Sequence, residues 1–193
     1  MTQPTLPPLE PGRIYRTRDF SAWGANAPRL AKRLVRDGQL TPLAHGLFSH
    51  PKPGRFGPVP PTDDELMRAF LDDAPFLFTG SSRWNALGLG TTGVLAMPLV
   101  YNTKRSGTFL LDGRPFILRR VAFPRDASPE WFVIDLIEHA DQIGGSRQDI
   151  CAALSRAVAR RQFKRDRLQL MANEYGTKQT QAEIATALRG ATS

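Results

Sequence analysis

Four cations recur at i, i+3, i+4 and i+7 in the segment APRLAKRLVRDG: Arg29, Lys32, Arg33 and Arg36. At about 100° per residue they occupy one arc of a helix, roughly 100° wide. Ala27, Leu30, Ala31, Leu34 and Val35 fill the opposite side. Solvated helix faces usually mix signs, because like charges one turn apart repel. Guanidinium and ammonium groups with no carboxylate among them suit a polyanion, whose phosphate oxygens accept charge-assisted hydrogen bonds.

A second stretch raises a different chemistry. Gly88-Leu89-Gly90-Thr91-Thr92-Gly93 has the spacing of a dinucleotide-binding turn. That turn needs a strand before it and a helix after it, whose N-terminal amides meet the pyrophosphate. Here a helix-like segment, Thr79 to Leu87, precedes, and the β-like run VLAMPLVYN follows. Asp112 stands about 20 residues on, but in a hairpin turn. The glycines are therefore read as ending a helix and turning the chain into a sheet, and no cofactor is expected.

The remaining reactive side chains form no centre. His45 and His50 have no neighbouring Cys or carboxylate, and His139 beside Glu138 reads as a surface or packing residue. Asp63-Asp64-Glu65 and Asp72-Asp73 are explained by helix caps and helix surface. Ser81-Ser82 lacks a nucleophile elbow. The lone Cys151 can neither pair internally nor build a zinc site, which fits a reducing, cytoplasmic setting. No catalytic residue and no metal site is expected.

The 193-residue chain carries a net charge of +8, a balance that favours nucleic acid as partner. The charge is uneven. Residues 1–60 hold nine Lys/Arg against three Asp/Glu, residues 61–146 eight against eleven, and residues 147–193 nine against four. No apolar run reaches the roughly 18–20 residues of a membrane span, and the start MTQPTLPPLEPG does not read as a secretory signal.

The elements that position the cations follow from caps and turns. Thr17 is expected to cap a short helix through Trp23, with Phe20 and Trp23 inward, after a proline-rich start without regular structure. Asn26 caps the basic helix, Pro28 sits in its first turn and Gly38 stops it. QLTPLAHGLFSHP reads as a hairpin with Gly46 at positive φ. Together these predict a winged helix-turn-helix over residues 1–58. The stretch PKPGRFGPVPP has linker chemistry. Residues 59–193 are then a mixed α/β domain with a helical C-terminal part, and the fold class is α+β. Thr62 and Glu65 form a capping box before Leu66, Met67, Phe70 and Leu71. Asp112-Gly113 marks a hairpin. Ser128-Pro129 starts a helix over 129–142 that buries Trp131, Ile134 and Ile137, followed by helices at about 148–162, 165–175 and 178–189.

In this arrangement Asn26, Arg29, Lys32 and Arg33 meet base edges and phosphates. Arg16 and Arg18 anchor phosphates at the start of the preceding helix, and Arg36 and His45 touch the flanking backbone. Some six phosphate contacts would make log affinity fall by roughly 5 per log unit of salt. Arg160, Arg161, Lys164, Arg165 and Arg167 form a second basic cluster, read as a solvated junction, a second DNA contact or a dock for an acidic protein surface.

The segments LAKRLVRDGQLTPLAHGLF and SSRWNALGLGTT, at their separation, resemble the antitoxins of the AbiE abortive-infection class. Leu30, Leu34, Gly38, Leu40, Gly46, Leu47 and Phe48 fit the family's recognition helix and hairpin. Ala86, Leu87, Gly88 and Leu89 fit its second motif. The chain departs from the family in the hairpin, where His45 and Pro42 stand at positions that are frequently basic. The resemblance implies a bacterial protein with an N-terminal winged helix that neutralises a nucleotidyltransferase-type toxin encoded beside it. The resemblance implies neutralisation either by opposing the toxin's effect without touching it, as in some relatives, or by binding it, and leaves the two open. The resemblance also implies repression of the chain's own promoter, read as inverted or direct repeats. Two other readings use the same residues: a stand-alone regulator whose second domain binds an effector, and a nucleic-acid enzyme, for which no acid/base or metal cluster is visible.

Overall fold

The computed structural model describes residues 7–191; the expectation for the first residues of the proline-rich start lies outside that range. The chain is α+β and forms two compact units. One comprises Met1–Phe76 with Thr108–Phe116, the other Leu77–Gly107 with Ile117–Ser193.

The first unit opens with β1 (Ile14–Arg16), a 3-10 helix (Thr17–Trp23), α1 (Ala27–Arg36), β2 (Thr41–Ala44) and β3 (Leu47–Ser49). These strands form an antiparallel sheet in the order β1-β3-β2. The segment 17–23 is a 3-10 helix rather than an α-helix, and it starts one residue earlier than the expected Thr17 cap: Arg16 N donates to Asp19 Oδ2 at 2.7 Å. Tyr15 and Phe20 are fully buried with stacked rings, 5.7 Å between centroids. Ala27, Ala31, Leu34 and Leu40 close over them. α1 therefore turns its apolar stripe inward, as its period requires.

The proline-rich stretch after β3 is no loose linker. It is a hairpin of β4 (Lys52–Gly54) and β5 (Gly57–Val59). The expected boundary at residue 58 consequently falls inside this hairpin, and the unit continues through α2 (Asp63–Leu71). The capping box forms as expected. Thr62 N donates to Glu65 Oε2 at 2.7 Å, and Glu65 N donates to Thr62 Oγ1 at 3.3 Å. Asp72 ends α2 in the left-handed region at φ 58°.

A later piece of chain completes this unit. Asp112 and Gly113, at φ 50° and 72°, turn the hairpin of β8 (Gly107–Leu111) and β9 (Arg114–Arg120). Both values lie where a two-residue turn needs them. At its tip Asp112 N donates to Leu43 O at 2.8 Å. Leu43 is the residue bulged out of the β2–β3 register. Arg114 pairs with Asp63 and donates to Pro61 O, and Phe109 packs edge-on to Phe70 at 5.0 Å.

The second unit carries α3 (Ser81–Asn85), β7 (Leu99–Asn102), α4 (Pro129–Glu138), α5 (Arg147–Ala159), α6 (Arg165–Tyr175) and α7 (Lys178–Gly190). With β6 (Phe76–Thr79) the strands make a sheet in the order β6-β7-β9-β8, in which β7 and β9 run parallel. The β-like run expected from Val94 narrows to Leu99–Asn102. The helix expected to reach 142 ends at Glu138 and continues as a 3-10 helix over Ala140–Ile143. Every residue from Trp131 to Ile137 is buried, the mark of a helix packed on all sides. Arg147, at the start of α5, fastens three helices by donating to Ile137 O, Thr180 Oγ1 and Glu183. Among the described residues no helix is long and apolar enough to cross a membrane.

Two carboxylates tie the helical ends together. Glu130 accepts from Lys164 N at 3.1 Å and Glu138 from Thr177 N at 2.8 Å. Burial opposes the charge on each. For Glu138 the hydrogen bonds from Thr180 and Thr177 outweigh it, and for Glu130 chiefly the bond from Lys164. Both carboxyls are thereby held below the usual range. A carboxyl depressed in the folded state contributes stability above its unfolded value, about 4.3, and loses that contribution as pH falls. Urea midpoints should therefore decline below about pH 4.3. Glu138→Gln should lower the midpoint at neutral pH and flatten the acid limb; an unchanged acid limb would contradict this account.

Candidate nucleic-acid interface

The basic face is built by one helix. Asn26 Oδ1 accepts from Arg29 N at 3.0 Å, which fixes the first turn of α1, and Pro28 sits beside it without loss, since the first-turn N–H groups have no helical partner. Asn26, named for base contact, thus also serves as the cap. Gly38 at φ 72° releases the chain into β2. With Ala31 and Leu34 packed inward, Arg29, Lys32 and Arg36 are exposed and Arg33 is half-buried. Arg36 has a neighbour of opposite charge, Asp37 at 3.4 Å. Among the described residues Arg29, Lys32 and Arg33 make no ion pair. A groove of ≈ 580 Å³ runs along this face, lined by Trp23, Leu30 and the cations. The surface offers guanidinium forks and an ammonium at helical spacing beside a shallow apolar strip.

The β2–β3 turn stands next to it. His45 is exposed at the tip and Gly46 takes φ 71°, as its place in the turn demands. Thr17 N donates to Gly46 O at 3.0 Å, tying the turn to the start of the 3-10 helix.

Arg16 and Arg18, expected as phosphate anchors, have partners within the molecule. Arg16 donates to Ala69 O and Phe70 O, the last carbonyls of α2, and lies 3.7 Å from Asp72. A helix C-terminus leaves such carbonyls unpartnered, and a guanidinium satisfies both their lone pairs and their partial negative charge. Arg18 holds Asp72 through two nitrogens. Both side chains are engaged within the molecule and do not join the α1 face.

The C-terminal cluster divides in the same way. Arg165 donates to Leu188 O at the end of α7, and the Lys164 backbone N–H holds Glu130. Arg160 and Arg161 are exposed at the α5–α6 turn, Arg161 at φ 60°. Lys164 and Arg167 are exposed as well, with Arg167 contributing to the field at Glu130.

One polar cluster went unread in the sequence. Asp135 is buried in the second unit and accepts from Thr79 Oγ1, from Trp84 Nε1 at 2.8 Å and from Tyr101 Oη at 2.7 Å. His139 stacks on Trp84. Its Nδ1 lies 2.8 Å from Asp135 O and its Nε2 lies 3.1 Å from Tyr101 Oη. It is a buried member of this network, not a surface residue. A carboxylate inside the apolar run WFVIDLI must find partners, and that was the signal available. Burial, then the charge of Asp135, pushes the Tyr101 hydroxyl far above its usual range, so it stays a donor. The network borders a cavity of ≈ 210 Å³ with Arg119 and Trp131, and its polar groups satisfy one another. Burial likewise pushes the Cys151 thiol up to about 11, away from nucleophilic use.

The glycine motif has the order helix, glycines, strand. Gly88 and Gly90 take φ 68° and 80° after α3. At Gly93 an added Cβ would stand 2.6 Å from Ile143 Cβ. Close packing, not phosphate approach, is what that position requires.

If Arg16 is structural, Arg16→Ala should lower the urea midpoint of the full chain, corresponding to a loss of about 2 kcal/mol in unfolding free energy. Arg29→Ala should leave it unchanged. Equal midpoints for the two variants would return Arg16 to the candidate interface.

No protein-family model matches the chain, and no curated protein matches it. Among solved structures the chain is similar to the RV2827C protein from Mycobacterium tuberculosis, known from its crystal structure. The identity is 15%, the TM-score 0.55, and the match covers 93% of this chain and 72% of that one. The likeness is one of fold.

Proposed function

We propose that the chain is a DNA-binding repressor whose α1 lies in the major groove. The carrying observation is the unneutralised row Arg29, Lys32 and Arg33 on a helix whose other face is locked into the core. An element order of 3-10 helix, α1 and a tight β2–β3 hairpin supports reading residues 1–58 as a winged helix-turn-helix, with α1 as recognition helix and His45 at the wing tip. Arg29, Lys32 and Arg33 are the base and phosphate contacts in this reading, Asn26 the capped entry point, and Arg36 a peripheral backbone contact. The apolar strip of Trp23 and Leu30 suits thymine methyl groups at the groove edge.

The resemblance to AbiE-class antitoxins extends the proposal. The DNA bound is the promoter of the chain's own operon, and the second unit serves the neutralisation of a nucleotidyltransferase-type toxin. Arg160, Arg161, Lys164 and Arg167 are the cations left for an acidic toxin surface or a second stretch of DNA, since Arg165 is engaged with Leu188.

With Arg16 and Arg18 withdrawn, about four phosphate contacts remain, so log affinity should fall by roughly 3.6 per log unit of salt. In a gel-shift titration on DNA upstream of the chain's own gene, Arg29→Ala/Arg33→Ala should weaken binding at least tenfold without moving the melting temperature, and reduce that slope by roughly 2. Unchanged affinity would overturn the assignment.

Co-expression with an adjacent nucleotidyltransferase-like gene product provides the second check. The wild-type chain should restore growth, and Arg160→Glu/Lys164→Glu should restore it less. Full rescue by the reversed pair would remove the cluster from the toxin contact.

A further inference from the structure

The apex of the β4–β5 hairpin exposes a large apolar side chain beside a cation. Phe56 is 95% exposed, and the Arg55 guanidinium lies 5.4 Å from its ring centroid. Every residue of both strands is exposed. A bare two-stranded ribbon is marginal in water, yet this one is stiffened by sequence. Its register pairs Lys52 with Val59, Pro53 with Pro58 and Gly54 with Gly57. Bonded and non-bonded pairs alternate in an antiparallel ladder, so the two prolines share a position that needs no N–H. Their fixed φ keeps both strands extended. At Gly54 an added Cβ would stand 2.7 Å from Val59 Cγ2 and 2.8 Å from Gly57 O, and Gly57 takes φ 118°. The flanks of the turn thus carry no side chains, and Arg55 and Phe56 alone occupy the apex.

The root of the hairpin is fixed next to the basic helix. His50 Nδ1 lies 2.6 Å from Gln39 O, three residues past the end of α1. Five residues of extended chain, His50 to Arg55, reach about 17 Å. Half of a duplex turn, the step from one groove to the next, is about the same length. From Gly38 to Thr62 the sequence holds no Asp or Glu, so the path from helix to apex carries one sign of charge.

We infer that the Arg55-Phe56 apex enters the minor groove flanking the α1 site, Phe56 wedging a base step and Arg55 meeting the groove floor. The inference rests on the DNA reading above. An aromatic or aliphatic wedge unstacks a step and bends the duplex toward the major groove, and Arg is drawn to the enhanced negative potential of a narrow A·T-rich minor groove. Phe56 has no packing role to explain its presence, while Arg55 above its ring presents cation and wedge as one unit.

The test uses the full chain and a labelled duplex of DNA upstream of its own gene. 2-Aminopurine is placed at steps beside the α1 footprint, with end-to-end energy transfer to read bending. Wild type should raise 2-aminopurine fluorescence and shorten the end-to-end distance, and distamycin should compete with both effects. Phe56→Ala should abolish both signals and weaken binding roughly tenfold, whereas Phe56→Leu should retain them in part. Wild-type affinity and wild-type signals from Phe56→Ala would overturn the minor-groove contact and leave the α1 reading standing. A wild-type chain that does not bind the duplex would overturn both.

Discussion

The first unit is organised by where its carboxylates sit. Asp72, just past the end of α2, draws in Arg18 and stands 3.7 Å from Arg16, whose donors also fill the last carbonyls of that helix. Asp63 takes Arg114. Asp63 and Asp72, at the two ends of α2, are thereby engaged, and Asp37, beyond the last turn of α1, stands beside Arg36. The arginines that Asp72 and Asp63 hold lie outside α1, so these two carboxylates leave its cations unpaired.

The second unit depends on a carboxylate used the other way. Asp135 is deep inside and is held by a hydroxyl, an indole and a phenol drawn from β6, α3 and β7. A buried acceptor with that many donors specifies the packing of three elements around α4, because each would leave an unpaired polar group if it moved. His139 one turn later extends the network through Tyr101. The residues most suggestive of acid/base chemistry in this unit are those most tightly bound to one another.

Local features were legible from sequence because their causes are local. The caps at Asn26, Thr62 and Ser128, the turns at Gly46 and Asp112-Gly113, and the inward stripe of α1 all follow from residues within one turn or one hairpin. The outward charge of Arg29, Lys32 and Arg36 follows from the same period. The fates of Arg16 and Arg18 were not legible, since Ala69 and Asp72 lie more than fifty residues away. The hairpin at Lys52–Val59 was hidden by its prolines, which usually break strands and here fall on the one pair that tolerates them. Asp135 could have been found: a single acid in a continuous apolar run announces that partners exist, though not which ones.

The chain passes from one unit to the other three times, at Phe76, at Gly107 and at Phe116. A fragment stopping at residue 76 would retain the whole cationic helix yet lack Leu111 and Phe116, both of which are buried. The basic region is therefore not a module that recombination could lift out and graft elsewhere. Whatever the second unit does, its gene segment must be inherited together with the basic helix.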